Sequence, residues 1–343
     1  MPARIKLDVS VLPDANLLNL PAVAEAAESA GFAALWSSET NHDPFLQLAL
    51  AAPHTRRLEL GTAIALSFVR SPMALAYTAW DLAAMTEGRF VLGLGTQVKA
   101  HNERRFSVPW GPPIPRLREV IDGLRAIWRS WRTGERLNFR GQHYQFTLMT
   151  PFFTPPPHTY PIPIYIAGVN EGLCRLAGEI CDGFHVHPLN SVSYLTQIVR
   201  PAIAQGALRA GRSIDDVTLT ASVFVVTGEN TTQTDNLREF VRQQISFYAS
   251  TPSYRVIFET HGWAGVAEQL SALAARKKWA EMPALITDEM VETFAIIAPP
   301  DRVGQAALER YRGLVDRIMF YIPYAPGQMD GFWRASLDAF ARQ

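Results

Sequence analysis

Apolar positions along this chain follow two alternating rhythms. Short runs that are apolar at nearly every position alternate with longer stretches in which apolar residues return every three or four places. These are the spacings of buried strands and of amphipathic helices. Residues Leu58–Thr96, reading LELGTAIALSFVRSPMALAYTAWDLAAMTEGRFVLGLGT, show the unit in full. Leu58–Leu66 predicts a strand, Ser71-Pro72 opens a helix running from Met73 to Met85, and Arg89–Thr96 predicts the next strand. Glu87-Gly88 ends the helix, because glycine supplies the left-handed turn that stops one. Strands apolar on both faces belong in a parallel sheet covered on both sides. Gly93 and Gly95 interrupt the second strand, which marks either tight packing inside a barrel or close approach of the backbone to a ligand.

The alternation continues in both directions. Ile5–Leu12 predicts the first strand, Asn19-Leu20-Pro21 the opening of a helix that runs through Ala30 and is stopped by Gly31, Phe32–Glu39 the second strand and Pro44–His54 a short helix. After the central unit, Val98–Trp110 reads as a polar, basic loop with one or two helical turns. Pro115–Trp131 is an amphipathic helix, with Leu117, Val120, Ile121 and Leu124 on one face. Thr133–Tyr160 is irregular and rich in aromatics and proline, which predicts an excursion over the surface. Pro163–Val169, Phe184–His187, Val217–Thr227 and Asp316–Ile322 predict four further strands, with helices over Glu171–Ile180 and Ser193–Ala210. Thr232–Tyr311 reads as mainly helical, without an obvious strand.

About eight strands with helices between most of them predict an α/β fold, a TIM (β/α)8 barrel. The expectation is one domain over residues 1–343, with a surface excursion at about 132–160 and a helical insertion at about 232–311 before the last strand. A doubly wound open sheet is the competing arrangement. Its dinucleotide fingerprint is half present at Gly93-x-Gly95, but no third glycine follows and no acidic residue ends the next strand.

Composition narrows the class. Of 343 residues, 19% are charged and 48% hydrophobic, the profile of a globular chain rather than a disordered one. Thirty-two basic and 32 acidic side chains leave no net charge and no basic block, which argues against a nucleic-acid partner. Cys174 and Cys181, seven residues apart on one predicted helix, supply neither a disulfide framework nor a zinc set and read as buried free thiols. The opening MPARIKLDVS has no signal-peptide core, and no apolar run is long enough to span a membrane, so the default location is cytoplasmic.

In such a barrel, function sits at the carboxyl ends of the strands. Those ends carry the cluster Glu39–Asp43, then Ala63–Ser67, Thr96–Lys99, Gly168–Glu171 and His185–Asn190. Three histidines, His42, His185 and His187, are expected to converge there, the last two facing the same way on one strand. Histidine titrates near neutrality and suits proton transfer or substrate contact. The plainer alternatives are structural histidines bonded to barrel backbone, or a metal pair, for which no third ligand has supporting spacing. Ala167–Glu171 is a small-residue turn entering a helix, either a simple junction or a seat for phosphate on exposed amides. Lys99, Arg104 and Arg105 follow the fourth strand and could meet an anionic tail. Phe68, Trp110, Phe152 and Phe153 fall in predicted loops near the mouth; facing the site, they would favour an apolar or planar substrate.

Taken together, the LELGTAIAL strand, the SPMALAYTAWDLAAMTEGRFVLGLGT unit, the HNERRF segment and the IYIAGVNEG turn resemble the bacterial luciferase-like flavin monooxygenases, and within them the coenzyme F420-dependent oxidoreductases. The resemblance runs from Ile5 to Tyr324. It implies a TIM barrel, usually a homodimer, binding F420 or FMN at the carboxyl face and acting on a small-molecule substrate. It implies a non-proline cis peptide at Ala63–Ile64 behind the cofactor ring, with Thr96 nearby. It implies a phosphate seat on the backbone of Gly168, Val169 and Asn170. Some members carry an acidic residue followed by histidine after the second strand; here Glu39 is followed by Thr40, and His42 comes two places later. The proton-handling candidates are therefore His42, His185 and His187, with His101 behind them, and Glu39 as a group that contacts the cofactor or orients a histidine. The implied reaction is hydride transfer between F420 and an organic substrate. The alternatives are a reduced-FMN monooxygenase using oxygen, or a non-catalytic flavin-binding protein.

Overall fold

Eight parallel strands close into a ring in the computed structural model, which describes residues 4–343. They are β1 (Lys6–Ser10), β2 (Ala34–Ser37), β3 (Glu59–Thr62), β4 (Phe90–Gly95), β5 (Ile164–Gly168), β6 (Gly183–Val186), β7 (Thr218–Val226) and β8 (Arg317–Phe320). Each pairs in parallel with its neighbours in chain order, and β8 pairs back onto β1 through Arg317 and Lys6. The barrel expected from the alternation is therefore formed. A two-residue strand, Ala65–Leu66, adds to the end of β4.

The helices start and stop where local chemistry dictates. Ser71 caps the helix Pro72–Met85 by accepting from the Met73 amide, a bond that satisfies a donor otherwise orphaned in the first turn. Glu87 and Gly88, both at positive φ, then turn the chain into β4. Gly31 ends Leu20–Ala30 in the left-handed region. Cys174 and Cys181 are buried and unpaired, and burial pushes the Cys174 thiol up to about 12.

Two segments depart from the barrel repeat. Between the helix Pro113–Thr133 and β5 the chain crosses the surface with a hairpin of two-residue strands, Phe139–Arg140 against Gln145–Phe146, and a single 3-10 turn, Pro151–Phe153. It is pinned to the barrel helices by Trp80, whose indole donates to the Pro156 carbonyl at 3.1 Å and stacks on His158 at 3.8 Å. Between β7 and β8 run the helices Thr231–Ala249, Arg255–Glu259, Ala264–Ala275 and Asp288–Phe294. The expectation of no strand there needs correction, because Ala295–Ile297 pairs in parallel with Phe224–Val226 at the end of β7. Three apolar residues directly after a helix have no period of their own to reveal a strand. The barrel repeat resumes with the helix Val303–Tyr311, where Gly304 lets the backbone of Ser336 in the last helix, Asp330–Ala341, approach closely. Among the described residues no helix is long and apolar enough to cross a membrane.

The barrel interior is polar at its centre. Asp8 accepts from Arg317 Nε and Nη2 at 2.7 and 2.9 Å and from Trp36 Nε1 at 2.9 Å, while Arg317 Nη1 also reaches Glu59 at 2.6 Å. Glycines make room for the large interior rings. A Cβ on Gly61 would strike Trp36, and one on Gly183 would strike Tyr165.

Candidate active site

The carboxyl ends of β3, β4, β5 and β6 border a cleft of about 510 Å³, within the usual range for ligand pockets. Its lining includes Ile64, the run Gly95–Lys99, Trp110, the turn Ala167–Asn170, His187 and Tyr254. Among the ionisable side chains of that lining, Lys99 carries the one full charge, and no carboxylate is present. A larger groove of about 820 Å³ lies on the insertion, away from the strand ends; its Arg242 is already bound to the Ile286 carbonyl and to Asp288.

The floor of the cleft follows from β3. Thr62 hydrogen-bonds Gly93 twice, its hydroxyl donating to the carbonyl at 2.6 Å and accepting from the amide at 2.9 Å. The next peptide bond, Ala63–Ile64, is cis, as the resemblance implies. Its flanking groups are held by β2, with Ala63 N donating to the Ser37 carbonyl at 2.8 Å and Glu39 N donating to the Ile64 carbonyl at 3.1 Å. Gly95 makes room for the Ile64 side chain, which a Cβ there would meet at 2.4 Å. Gly93 makes room for the Thr62 carbonyl and His185. Both glycines thus answer to packing inside the barrel, and Gly95 also opens on the cleft.

Glu39 works beneath this floor. Its nearly buried carboxylate accepts from the Leu66 amide at 2.7 Å and from Arg70 Nη1 at 2.7 and 2.9 Å, while Arg70 Nη2 bonds Asp43 at 2.7 Å. Both oxygens are occupied, so Glu39 ties the segment after β2 to the segment after β3. His42 is half-buried, outside the cleft lining, and makes no hydrogen bond among the described residues.

The structure separates the two histidines of β6 by depth. His185 lies in the barrel interior, edge-on to Trp36 at 4.8 Å and beside Tyr165, with Nε2 against Gly93 and the Thr62 carbonyl. Burial, reinforced by the Arg317 charge, lowers its pKa to about 3. His187 reaches the cleft. It sits edge-to-face between Tyr248 at 4.4 Å and Tyr254 at 4.6 Å. Its Nδ1 accepts from the Leu189 amide at 3.1 Å, which places the proton on Nε2. Burial lowers its pKa to about 3, so it remains neutral and presents an N–H donor.

At the opposite wall, Asn170 caps the helix Glu171–Ile180 by accepting from the Leu173 amide at 3.0 Å, and the Tyr194 hydroxyl donates to the Val169 carbonyl. That leaves the first-turn amides of Glu171 and Gly172 without an intrahelical acceptor. Thr96 and Lys99 line the same cleft. Of the four loop aromatics, only Trp110 faces it. Phe68 is buried against Trp110, and Phe152 and Phe153 are 90% and 59% exposed on the surface excursion. Sequence reasoning missed Tyr248 and Tyr254, which come from the insertion. The available signal was the polar break STPS at Ser250–Ser253 inside an otherwise helical stretch.

Comparison with known proteins agrees with this geometry. The family model described as luciferase-like monooxygenase matches residues 3–317. A Mycobacterium tuberculosis protein of unassigned activity is 44% identical over 317 residues, covering 92% of this chain and 93% of its own. The 5,10-methylenetetrahydromethanopterin reductase of Archaeoglobus fulgidus is 26% identical over 332 residues, with 94% and 95% covered. The solved coenzyme F420-dependent tetrahydromethanopterin reductase of Methanopyrus kandleri shares the fold, with a TM-score of 0.76, 23% identity and 98% of each chain covered. With a closed parallel barrel, a cleft at its carboxyl face and a family match over most of its length, the chain belongs to the luciferase-like monooxygenase family.

Proposed function

We propose that this protein is an oxidoreductase that transfers a hydride between coenzyme F420 and a small organic substrate. The observation that carries the reading is the cleft itself. Ile64 and Gly95 form one wall, helix-start amides and Lys99 sit at the edges, and a neutral histidine donor faces across. These residues fit a planar cofactor with an anionic tail. Ala63 and Ile64 would back its ring, Thr96 would contact its edge, and Gly168, Val169, Asn170 and the amides beyond would hold its phosphate. Amides at a helix start favour an anion through their unpaired N–H groups and the helix dipole. When bound, the cofactor supplies a hydride donor or acceptor, and the chain supplies orientation and proton handling. The coenzyme F420-dependent Methanopyrus structure supports the choice of cofactor, and the Archaeoglobus reductase supports a reductive reaction.

His187 would contact the substrate through its Nε2–H, because it alone of His42, His185 and His187 lines the cleft. The family description favours a second reading, a monooxygenase using reduced FMN and oxygen. Titration of the purified protein with F420 and with FMN, followed by fluorescence quenching, decides between them. Saturable micromolar binding of F420 over FMN is the expected result. Preference for FMN would favour the monooxygenase, and binding of neither would return the chain to a non-catalytic role.

The protein is proposed to act as a homodimer. Leu18 and Leu46 are 82% and 59% exposed on adjacent segments, with Leu50 on the same helix as Leu46. Exposed apolar clusters of this kind mark contact surfaces. Leu46→Asp is expected to halve the mass measured by sedimentation velocity while leaving the circular dichroism spectrum unchanged.

A further inference from the structure

We propose that Tyr254 and His187 form a two-donor clamp for a carbonyl or hydroxyl oxygen, so that the substrate is an uncharged ketone, aldehyde or the corresponding alcohol. The clamp deepens the hydride-transfer reading and rests on it for the reaction step. Binding of the oxygen itself does not depend on which cofactor is present.

Tyr254 belongs to the short turn Pro252–Tyr254 of the insertion, and its ring lies against His187 at the same wall of the cleft. His187 offers Nε2–H, since its other nitrogen is taken by the Leu189 amide. Among the described residues the Tyr254 hydroxyl has no hydrogen-bond partner and is not sealed from solvent. Tyr248 backs both rings, fixed by its own hydroxyl bond to Tyr321 at 2.8 Å. The segment carrying Tyr254 is tied back to the loop after β6 by a 2.7 Å bond between Ser191 and His261. Both donors therefore stand on supported elements, not on a free loop.

The chemistry of this wall selects the ligand. Two neutral donors side by side suit an acceptor oxygen with two lone pairs. No carboxylate lines the cleft, so nothing there would hold an amine cation, and the one lining cation, Lys99, is on the side of the strand β4 turn. In the reducing direction the carbonyl carbon would accept the hydride that a bound reduced deazaflavin would supply, a C–H bond forming as the C=O π bond breaks. The C=O π pair moves onto oxygen, which takes the Tyr254 hydroxyl proton, and the phenolate is reprotonated from solvent. The Tyr254 phenol, raised by burial to about 12, stays protonated until that charge develops. Donors aimed at a developing oxyanion stabilise it without reorganising.

The test uses cyclohexanone labelled with ¹³C at the carbonyl, added to the protein with and without F420. Bound wild-type protein should move the carbonyl resonance downfield, as hydrogen bonds polarise the C=O group. Tyr254→Phe, which keeps the ring, should remove about half of that shift and weaken binding about tenfold. His187→Phe should remove the other half, and the double variant should abolish it, with the circular dichroism spectrum unchanged throughout. No shift in wild type, or a shift indifferent to Tyr254→Phe, overturns the clamp. A normal shift and normal variant effects in a protein that binds no F420 would sustain the clamp and overturn the cofactor reading instead.

Discussion

Replacing Arg317 with methionine is expected to lower the unfolding free energy by about 3–5 kcal/mol. Asp8 is fully buried, and two of the three hydrogen bonds that its carboxylate accepts come from Arg317. Burial by itself would lower the Arg317 pKa; the Asp8 carboxylate outweighs it and, with Glu59, raises it, so the guanidinium is charged at every working pH. Methionine fills similar volume but leaves Asp8 with the Trp36 indole as its one partner. An uncompensated buried charge costs far more than the pair ever contributed. The double change Asp8→Leu with Arg317→Met should therefore recover most of the loss, short of the acceptor that Trp36 gives up. Urea unfolding at constant slope reads both values. A single variant within 1 kcal/mol of wild type would show that this network does not hold the barrel interior together.

Gly93→Ala should be nearly as damaging, by about 3 kcal/mol, the upper end for overpacking. An added Cβ would stand 1.8 Å from the Thr62 carbonyl oxygen and 2.8 Å from His185 Nε2. The first of these is backbone, and Thr62 is locked to Gly93 by two hydrogen bonds, so neither strand can step aside cheaply. Relief has to come from separating β3 and β4, which shifts Ile64 and the cleft floor. The expected result is a lower urea midpoint together with at least tenfold weaker binding of the cofactor in the quenching titration. Full stability with unchanged binding would mean that the contact is not tight.

These two residues also show how far local reading reaches. The glycines of β4 were visible as interruptions of an apolar run, with packing and ligand approach left open. Only the position of Thr62 on the neighbouring strand assigns Gly93 to packing. Arg317 and Asp8 stand near opposite ends of the chain, 309 residues apart. Ring closure makes them partners, because β8 lies beside β1.

The candidate site was legible to the same extent. The run of strand ends, the cis bond at Ala63–Ile64, the turn at Gly168–Asn170 and His187 were all reachable from residues or from resemblance. The depth of each side chain was not. His185 and His187 face the same way, but two residues of strand separate them by about 6–7 Å. That step takes His185 into the core beside Trp36 and leaves His187 at the cleft. Glu39 was expected to meet a cofactor or a histidine, and its oxygens are taken by Arg70 and Leu66. Tyr254 was marked only by the polar break at Ser250–Ser253, since its role depends on how the insertion folds back across the barrel mouth.

By itself the sequence determined the alternation of strand and helix, the helix stops at Gly31 and Gly88, and the count of strands that a closed parallel barrel needs. Those properties depend on hydrophobic period and on residues a few places apart, which the order of amino acids states directly. The tertiary structure alone decided which inward side chains are core and which are site, how Asp8 is neutralised, and that Tyr254 stands beside His187. Each of these depends on distances between segments remote in the chain, and such distances come into being only when the ring closes and the insertion packs upon it.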